Sequence, residues 1–563
     1  MAFTESRLLQ AGLIFAALTL ILLARRARKA SPKAGRLPSP KGLPVLGSIP
    51  DMPMTGAWYK LYDWAQELGD LYEVNLGGDK LIIAGSERVV NDLYGARGAK
   101  YADRPVLFGI DDSRGTSMAQ PVYLPFAGAG HRHSSLRKTT GRLLTESRAS
   151  DDFHNYPLIE ARRLLHRLYR AGDASKHEWM SAIPNAVDRI ACRLAWGSPD
   201  AAEKHRELTM KLVRAASVST NIANAISALA NLPYAVSPWK RAEKKRREEQ
   251  FEWWREQFHL VERRMQDGTA GPSWACTLLE GIGAPKASSP PMMAGDATDD
   301  WEQAACLTGM LPALVSIATS NVSRNTIKML AAYPAWAKRV HAELDAVVGA
   351  ERLPELSDMP QLPTLRAVIR ETLRIHPPIP TGMPRALQGN EDDVYRGRII
   401  PHGQPIFASD YILSRDAAMY PEPFAFKPER WLEPRFPTTY NADTANFPTI
   451  VGSLNFGIGR RVCLGQHLAA TDLHLLIAHV VWAFDISAPD GQHAFGSNLG
   501  PREEWGGMQM PQSPEASTFL IPVTPCELTF TLRGEGRARV LEEAYEVSIA
   551  SDPLRRLGAV MVD

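Results

Sequence analysis

Hydrophobic and polar positions recur mainly at helical spacing along this chain. Residues 130–265 follow a mostly helical pattern, and residues 304–332 predict a long apolar helix that Pro312 should bend. Helical patterning continues from there to about residue 374. Residues 268–298 are rich in Gly, Ala, Ser and Pro and predict an exposed connection.

Strand patterns are few and short. Residues 71–85 alternate around a Gly-Gly-Asp turn and predict a β-hairpin, and strand-like pieces occur at 396–409 and 526–534. A helix-rich chain with small sheets late in the sequence predicts an α+β fold that is mainly helical.

The N-terminus has a different pattern from the rest of the chain. Residues 8–24 form an uncharged apolar run that is followed by Arg25, Arg26, Arg28 and Lys29. A transmembrane helix needs roughly 17–25 residues, and a cleaved signal peptide would carry its positive charge before the apolar run. We therefore predict a single-pass anchor over residues 1–30 with the remainder in the cytosol. A signal peptide and a buried core helix are the alternatives.

The segment after the predicted anchor contains five prolines between residues 37 and 53, which predicts a stiff, extended hinge over residues 31–55. The body of the protein would then span residues 56–563. The net charge of +2, from 64 basic and 62 acidic residues, argues against nucleic acid as a partner. Five scattered cysteines do not predict a disulfide framework, which indicates a reducing compartment.

One cysteine stands in the stretch FGIGRRVCLG, immediately before an apolar run that predicts a helix from residue 465 to about 484. A sulfur at a helix N-terminus gains from the helix dipole and from free backbone N–H groups, and Arg461 adds a positive charge near Cys463. Such a thiolate suits axial ligation of a heme iron. A buried structural cysteine beside a glycine-rich turn is the alternative, and this loop alone does not decide between them.

The wider sequence resembles the cytochrome P450 family. FGIGRRVCLG resembles the heme loop of that family, Phe-x-x-Gly-x-Arg-x-Cys-x-Gly, and ETLR gives its Glu-x-x-Arg. FKPERW resembles its Pro-Glu-Arg-Phe segment, with Trp431 in place of Phe. The resemblance extends from about residue 8 to about residue 534 and implies a P450 fold of eukaryotic microsomal type.

The resemblance implies a role for particular residues. Cys463 would be the proximal iron ligand, and Arg137 and Arg385 would join Arg461 near the heme propionates. His133 stands four residues before Arg137, where the family usually has Trp, and His131 is a rival alignment. The remaining implied residues are the loop positions Phe456, Gly457, Gly459 and Gly465 and the structural ion network Glu371, Arg374 and Arg430.

The central helix departs from the family pattern. An acid followed by Thr usually relays protons there, but Ile317 and Ala318 occupy those positions, and no Asp or Glu occurs from residue 303 to 342. The hydroxyl groups of Thr319, Ser316 or Ser320, or an ordered water, are the candidates for the relay.

The implied function is a heme-thiolate monooxygenase that inserts one oxygen atom from O2 into a lipophilic small molecule, with a role in secondary metabolism. It would bind heme b, with electrons from NADPH arriving through cytochrome P450 reductase and cytochrome b5 as a further partner, at the endoplasmic reticulum membrane. The pocket would be lined by residues 104–126, 314–319, 379–383 and 498–505. The alternatives are peroxide use, isomerisation, dehydration or radical coupling without ordinary O2 activation, and a heme-binding protein with little turnover.

Overall fold

The computed structural model describes residues 35–553 except 54–55, 118–119, 218–220, 225–226, 284–296, 440–446, 489–519, 521–522 and 524. The predicted anchor and the predicted pocket segment 498–505 lie outside these residues. Within the described part, one helix at Trp301–Ala332 is long and apolar enough to cross a membrane. Because 78% of its apolar window is buried inside the protein, it is a core helix.

Helices dominate the described chain, as predicted. They are α1 (Ala57–Leu68), α2 (Glu87–Val90), α3 (His131–Ala149), α4 (Asp151–Ala171), α5 (Ser175–Trp196), α6 (Ala202–Ala216), α7 (Pro238–Gln266), α8 (Trp274–Gly283), α9 (Ala297–Ala332), α10 (Pro334–Val347), α11 (Pro363–Ile375), α12 (Asp410–Leu413), α13 (Gln466–Ala483) and α14 (Glu535–Ser551). The long apolar helix predicted from residue 304 is α9, which begins seven residues earlier and continues through Pro312.

Three small sheets complete the described fold. Their strands are β1 (Leu71–Leu76), β2 (Asp79–Ala84), β3 (Asp393–Tyr395), β4 (Arg398–Ile400), β5 (Ile406–Ala408), β6 (Phe484–Ser487) and β7 (Thr529–Leu532). β1 and β2 form the predicted antiparallel hairpin, and β5 adds to β2 in parallel. β3 pairs with β4 and β6 pairs with β7, both antiparallel. Gly77 and Gly78 turn the hairpin at positive φ, where glycine has no steric penalty.

Helix α9 crosses the core and packs along α5 and α7. Its closest approach to α7 depends on Gly309, because a Cβ added there would lie 2.2 Å from the Trp254 ring. The carbonyl of Gly309 accepts a hydrogen bond from His205 at 3.0 Å, which joins α6 to the same point. The middle of the molecule is therefore fixed where three helices meet one glycine.

The predicted exposed connection at residues 268–298 is wrong over its first part. Residues 274–283 form α8, in which Trp274, Ala275 and Leu278 are fully buried. Their spacing places them on one side of the helix, and the Trp274 indole donates a hydrogen bond to Ser147 at 2.8 Å. Because Gly and Ser residues surround this short apolar face, the sequence pattern did not indicate a helix. Residues 284–296 lie outside the described part.

The described part of the proline-rich segment packs on the body. The carbonyl of Pro38 accepts a hydrogen bond from Glu73 at 2.8 Å, and Gly47 pairs with Leu76. A Cβ at Gly47 would lie 2.3 Å from the carbonyl oxygen of Asn75, so only glycine fits this approach. The proposed division into anchor, hinge and body stays a prediction.

Helix α13 contains a buried carboxyl group with no hydrogen-bond partner in the described protein. Asp472 is 0% exposed, and burial raises its pKa to about 8. Its unfolded value is ~3.9, so the folded protein holds a proton that the unfolded chain releases. The free energy of unfolding therefore falls as pH rises from roughly 4 to 8, by at most about 1.4 kcal/mol per pH unit.

Asp472→Asn is expected to remove this fall of the free energy of unfolding with rising pH. The measurement is the free energy of unfolding from denaturant titrations at several pH values between those limits. Asp173→Asn is the control, because the Asp173 side chain is 97% exposed. An Asp472→Asn protein that keeps the parent's pH dependence would contradict the raised pKa.

A buried ion network joins the chain after α14 to helices α4 and α5. Arg193 is 0% exposed and contacts Asp552 through both terminal nitrogens, at 3.1 and 2.6 Å. Its Nε donates to Glu160 at 2.6 Å, and Arg189 contacts the same carboxylate at 2.6 Å. Helix α14 itself stacks Tyr545 on His166, with ring centroids 3.7 Å apart. The C-terminal helix is thus part of the packed body.

Asp552→Asn is expected to lower the free energy of unfolding by about 3 kcal/mol, because it leaves a fully buried guanidinium short of one counter-charge. The measurement is the shift of the denaturant midpoint. Glu542→Gln, an exposed change on α14, should leave the midpoint in place. An Asp552→Asn protein as stable as the parent would show that Glu160 alone compensates Arg193.

Candidate functional site

The loop around Cys463 is held by two short helical turns, Leu454–Phe456 and Gly459–Arg461. The backbone N–H of Cys463 donates to the carbonyl of Phe456 at 2.8 Å, which closes the loop. Gly457 and Gly459 both have positive φ, and a Cβ on Gly459 would lie 2.2 Å from the carbonyl oxygen of Tyr94. Gly465 then precedes α13, and a Cβ on it would lie 3.8 Å from the sulfur.

Cys463 is accessible to solvent, and the protein packed around its sulfur raises the pKa of the thiol. The N–H of Gly465 and the charge of Arg137 oppose this shift. The expectation that Arg461 supplies the stabilising charge is wrong, because its guanidinium turns away and donates to the carbonyls of Ala102 and Ala127, both at 2.7 Å.

Four arginines converge beside this loop. Arg137 donates to the carbonyl of Val462 at 2.5 Å, and Arg385 donates to the carbonyl of Ile458 at 2.6 Å. Burial lowers the pKa of both Arg385 and Arg461 to about 10, and the charge of Arg137 acts in the same direction on each. These pKa shifts show that the cluster is rich in positive charge.

Arg104 is the fourth member, and sequence reasoning missed it as a binding residue. It is 7% exposed, and burial lowers its pKa well below the ordinary value, with Arg461 and Arg385 adding to the effect. Its guanidinium donates to the carbonyls of Pro125, Met383 and Pro384 at 3.0, 3.0 and 2.5 Å. No sequence motif marks this arginine, since its neighbours come from distant parts of the chain.

His131 and His133, the two candidates for the position where the family usually has Trp, have different surroundings in the structure. His131 is exposed at the start of α3, whereas His133 is 8% exposed and lies against the arginines. Burial and the charges of Arg461, Arg137 and Arg104 lower the pKa of His133 to about 3, so its imidazole is neutral near pH 7. His133 is therefore the residue that takes the position beside the cluster.

The three residues of the predicted ion network contact one another in the structure. Glu371 contacts Arg374 at 2.7 and 2.9 Å and Arg430 at 3.3 Å, and all three are nearly or fully buried. The backbone N–H of Lys427 and the indole of Trp431 also donate to the Glu371 carboxylate, at 2.9 and 3.0 Å. The carboxylate thus joins α11 to the Pro-Glu-Arg segment.

The three predicted relay hydroxyls share one side of α9. Ser316, Thr319 and Ser320 are 4%, 2% and 4% exposed. The more accessible side chains lie on the opposite side, which we call the accessible face of α9: Leu314, Val315, Ile317 and Ala318. Leu314 is 38% exposed, although α9 is otherwise a core helix. The relay role of the hydroxyls stays a prediction. It requires a route by which protons pass from these buried hydroxyls around α9 to its accessible face.

The residues near Cys463 fit a heme. Nη1 of Arg385 is buried and has no hydrogen-bond partner within the described protein. The carboxylate of Asp103, which acts on Arg461 and His133, already contacts Arg114 at 2.5 Å. A group that carries two carboxylates would satisfy this excess of positive charge. No cluster of three or more His, Cys, Asp or Glu side chains suited to a metal ion occurs in the described ranges. Cys463 would hold a heme iron through its sulfur, and the arginines would hold the carboxylates of the porphyrin.

Comparison with known proteins identifies the family. The Cytochrome P450 family model matches residues 37–500. The chain is 30% identical over 500 residues to cytochrome P450 monooxygenase 58 of Postia placenta, covering 85% of this chain and 87% of that protein. It is 26% identical over 570 residues to cytochrome P450 monooxygenase 69 of the same fungus, covering 94% and 96%. It is 28% identical over 536 residues to the echilunin cytochrome P450 monooxygenase of Aspergillus ruber, covering 93% and 89%. The chain therefore belongs to the cytochrome P450 family and is an oxidoreductase of the monooxygenase type.

Proposed function

We propose that this protein inserts one oxygen atom from O2 into a lipophilic small molecule of secondary metabolism. The observation that carries the proposal is the juxtaposition of Cys463 with a buried, partly unpaired arginine cluster. When heme b is bound, its thiolate-ligated iron supplies the oxidising chemistry. The protein contributes the ligand, the charges that hold the porphyrin carboxylates and the walls that exclude water.

Each residue of the site then has a defined task. Cys463 would ligate the iron, and Gly457 and Gly459 let the loop backbone turn tightly beneath it. Arg385, with its free Nη1, would bind a propionate directly. Arg137 would hold the loop through Val462 and favour the thiolate by its charge.

The substrate is proposed to contact the accessible face of α9. Leu314, Val315, Ile317 and Ala318 present only hydrocarbon there, so they favour apolar ligands. Met383, which packs against the main core, lies on the segment expected to cross the pocket. The relative from Aspergillus ruber is named for echilunin, which supports a small organic product for this chain as well.

The proposed electron source is NADPH acting through a membrane-bound P450 reductase, with cytochrome b5 as a further candidate. The proposed location is the endoplasmic reticulum membrane, through a single N-terminal span with the catalytic domain in the cytosol. The support is the uncharged run at residues 8–24, followed by four basic residues.

Oxygen accounting tests the proposed reaction. Full-length protein, reductase and NADPH would be supplied with a panel of lipophilic metabolites preselected by their shift of the Soret band. We expect substrate-dependent consumption of NADPH and O2, with one labelled oxygen atom from O2 in the product. Turnover with peroxide alone, or rearrangement without reductase, would replace this proposal with the peroxide, isomerase or coupling alternative. Binding without turnover under any of these conditions would indicate a heme-binding protein.

A further inference from the structure

From residue 303 to its end, helix α9 carries no acid but several buried polar groups. No Asp or Glu occurs from residue 303 to 342, yet Ser316, Thr319, Ser320, Asn321 and Arg324 are all 6% exposed or less. Reduction of O2 in a monooxygenase consumes protons, and hydroxyl groups can pass protons on but cannot store them at neutral pH. A titratable group from another helix would complete such a path.

Helix α5 places a carboxylate on this side of α9. Asp188 is 2% exposed, and its Oδ1 accepts a hydrogen bond from the Ser316 hydroxyl. Its Oδ2 accepts a hydrogen bond from Nη1 of Arg206, on α6, at 2.9 Å. The Arg206 side chain is 32% exposed. The contacts Ser316–Asp188–Arg206 therefore run from the central helix to the protein surface.

The surroundings of this carboxyl group suit proton exchange. Burial raises the pKa of Asp188 above its ordinary value, although Arg206, Ser316 and Arg324 all act to lower it. A carboxyl whose pKa moves towards neutrality both accepts and releases protons readily. Cys192, one turn along α5, is also buried, which raises its thiol pKa well above the usual value and leaves it neutral.

The order of side chains around α9 gives the proton a direction. At 3.6 residues per turn, Thr319 lies between Ser316 and the edge of the accessible face at Val315. Thr319 is three residues from Ser316, a spacing at which helical side chains are neighbours. The Thr319 hydroxyl is therefore placed to receive a proton from Ser316 and pass it on towards the face that carries Ile317 and Ala318.

We propose that Asp188 replaces the acid that α9 lacks beside its accessible face and delivers protons through the hydroxyls of Ser316 and Thr319 to that face. In each transfer the Ser316 hydroxyl first turns from Asp188 towards Thr319. One proton then passes from the Asp188 carboxyl to Ser316 Oγ while the original hydroxyl proton of Ser316 moves to Thr319, so that the serine ends neutral. Thr319 in turn releases its own hydroxyl proton at the accessible face. A hydronium ion or buffer acid from bulk solvent, entering beside the partly exposed Arg206 side chain, reprotonates the Asp188 carboxylate, and no electrons move. This inference rests on the proposed O2-dependent function.

The first test requires no turnover. Infrared difference spectra of the full-length holoprotein would be recorded across the neutral pH range. We expect a carbonyl band of a protonated carboxylic acid that is absent from Asp188→Asn and displaced in Ser316→Ala. If the parent and both variants give the same carboxylic-acid bands at every pH, Asp188 does not exchange a proton with its surroundings and the proposal is overturned.

The second test measures how much O2 is reduced to water and how much to peroxide. Holoprotein, reductase and NADPH without added substrate would be followed by oxygen electrode and peroxide assay, in H2O and in D2O. Reduction of O2 to water consumes two NADPH per O2, and reduction to peroxide consumes one. We expect Asp188→Asn and Ser316→Ala each to slow water formation by roughly 10²-fold and to shift the ratio towards peroxide. The double variant should be no slower than the slower single variant, because both residues serve one path.

Controls separate proton delivery from helix packing. Thr326→Val removes a buried hydroxyl of α9 that donates only to the carbonyl of Val322 on its own helix, so it should keep the parent's ratio. Adding Ile317→Asp and Ala318→Thr to Asp188→Asn should restore water formation, which a merely structural contact would not do. Asp188→Asn with the parent's NADPH-to-O2 ratio and solvent isotope effect would overturn the proposal.

Two outcomes need separate interpretation. If Asp188→Asn fails to give the heme-thiolate spectrum, Ser316→Ala carries the same test, since it leaves the Asp188–Arg206 pair intact. A parent that consumes no O2 with NADPH would refute the proposed function, whereas the infrared titration would still decide whether Asp188 exchanges protons. Failure of the function and failure of the relay are therefore distinguishable.

Discussion

Alanine in place of Cys463 is expected to abolish the absorption band that marks a sulfur-ligated heme iron in the reduced, carbon-monoxide-treated protein. The Cys463 side chain is accessible, and the charge of Arg137 favours its thiolate. A methyl group cannot donate electrons to iron, so the loss should be complete. Heme content per protein should fall as well, because the axial bond is removed.

Cys526→Ala is the matched control for this change. Cys526 is partly buried, and its contact with Trp179 is made by its backbone carbonyl at 3.1 Å, which the substitution leaves in place. We expect this variant to keep the full band. A Cys463→Ala protein that retained the band would move the ligand to another side chain and remove the basis of the proposed function.

The loop around Cys463 could be predicted because its constraints are local. Gly457 and Gly459 are needed for turns within a few residues of the sulfur, and the apolar run that becomes α13 follows directly. The hairpin β1–β2 could be predicted for the same reason, since its alternating pattern and its glycine turn lie within fifteen residues. Glu371 and Arg374 were found because their spacing of three is a property of one helix.

Contacts between distant parts of the chain could not be predicted in this way. Ser316 and Asp188 lie 128 residues apart, and Asp188 in the sequence is one of two acids on α5 and belongs to no motif. Arg104 joins the cluster through carbonyls almost 280 residues away. The direction of a guanidinium depends on such acceptors, which is why Arg461, expected beside the sulfur, turns to Ala102 and Ala127 instead.

Glutamine in place of Glu371 is expected to destabilise the protein by about 3–5 kcal/mol. The Glu371 carboxylate accepts two hydrogen bonds from Arg374 and one each from Arg430, the Lys427 backbone and the Trp431 indole. An amide offers one oxygen and turns N–H donors towards guanidinium groups that are also donors. Arg374 and Arg430, 2% and 0% exposed, would then be buried without a counter-charge.

We propose that this change also loosens the loop expected to hold the heme, because the network joins α11 to residues 427–431, which precede that loop in the chain. The measurements are the denaturant midpoint and the fraction of purified protein that retains heme. Glu422→Gln is the matched control, since the Glu422 side chain is 68% exposed and pairs only with Lys427 at the surface. Its backbone carbonyl, which accepts from Arg430 at 2.6 Å, is unaffected by the substitution. A Glu371→Gln protein with the parent's midpoint and heme content would show that the carbonyl contacts of Arg374 and Arg430 hold this region without the buried charge.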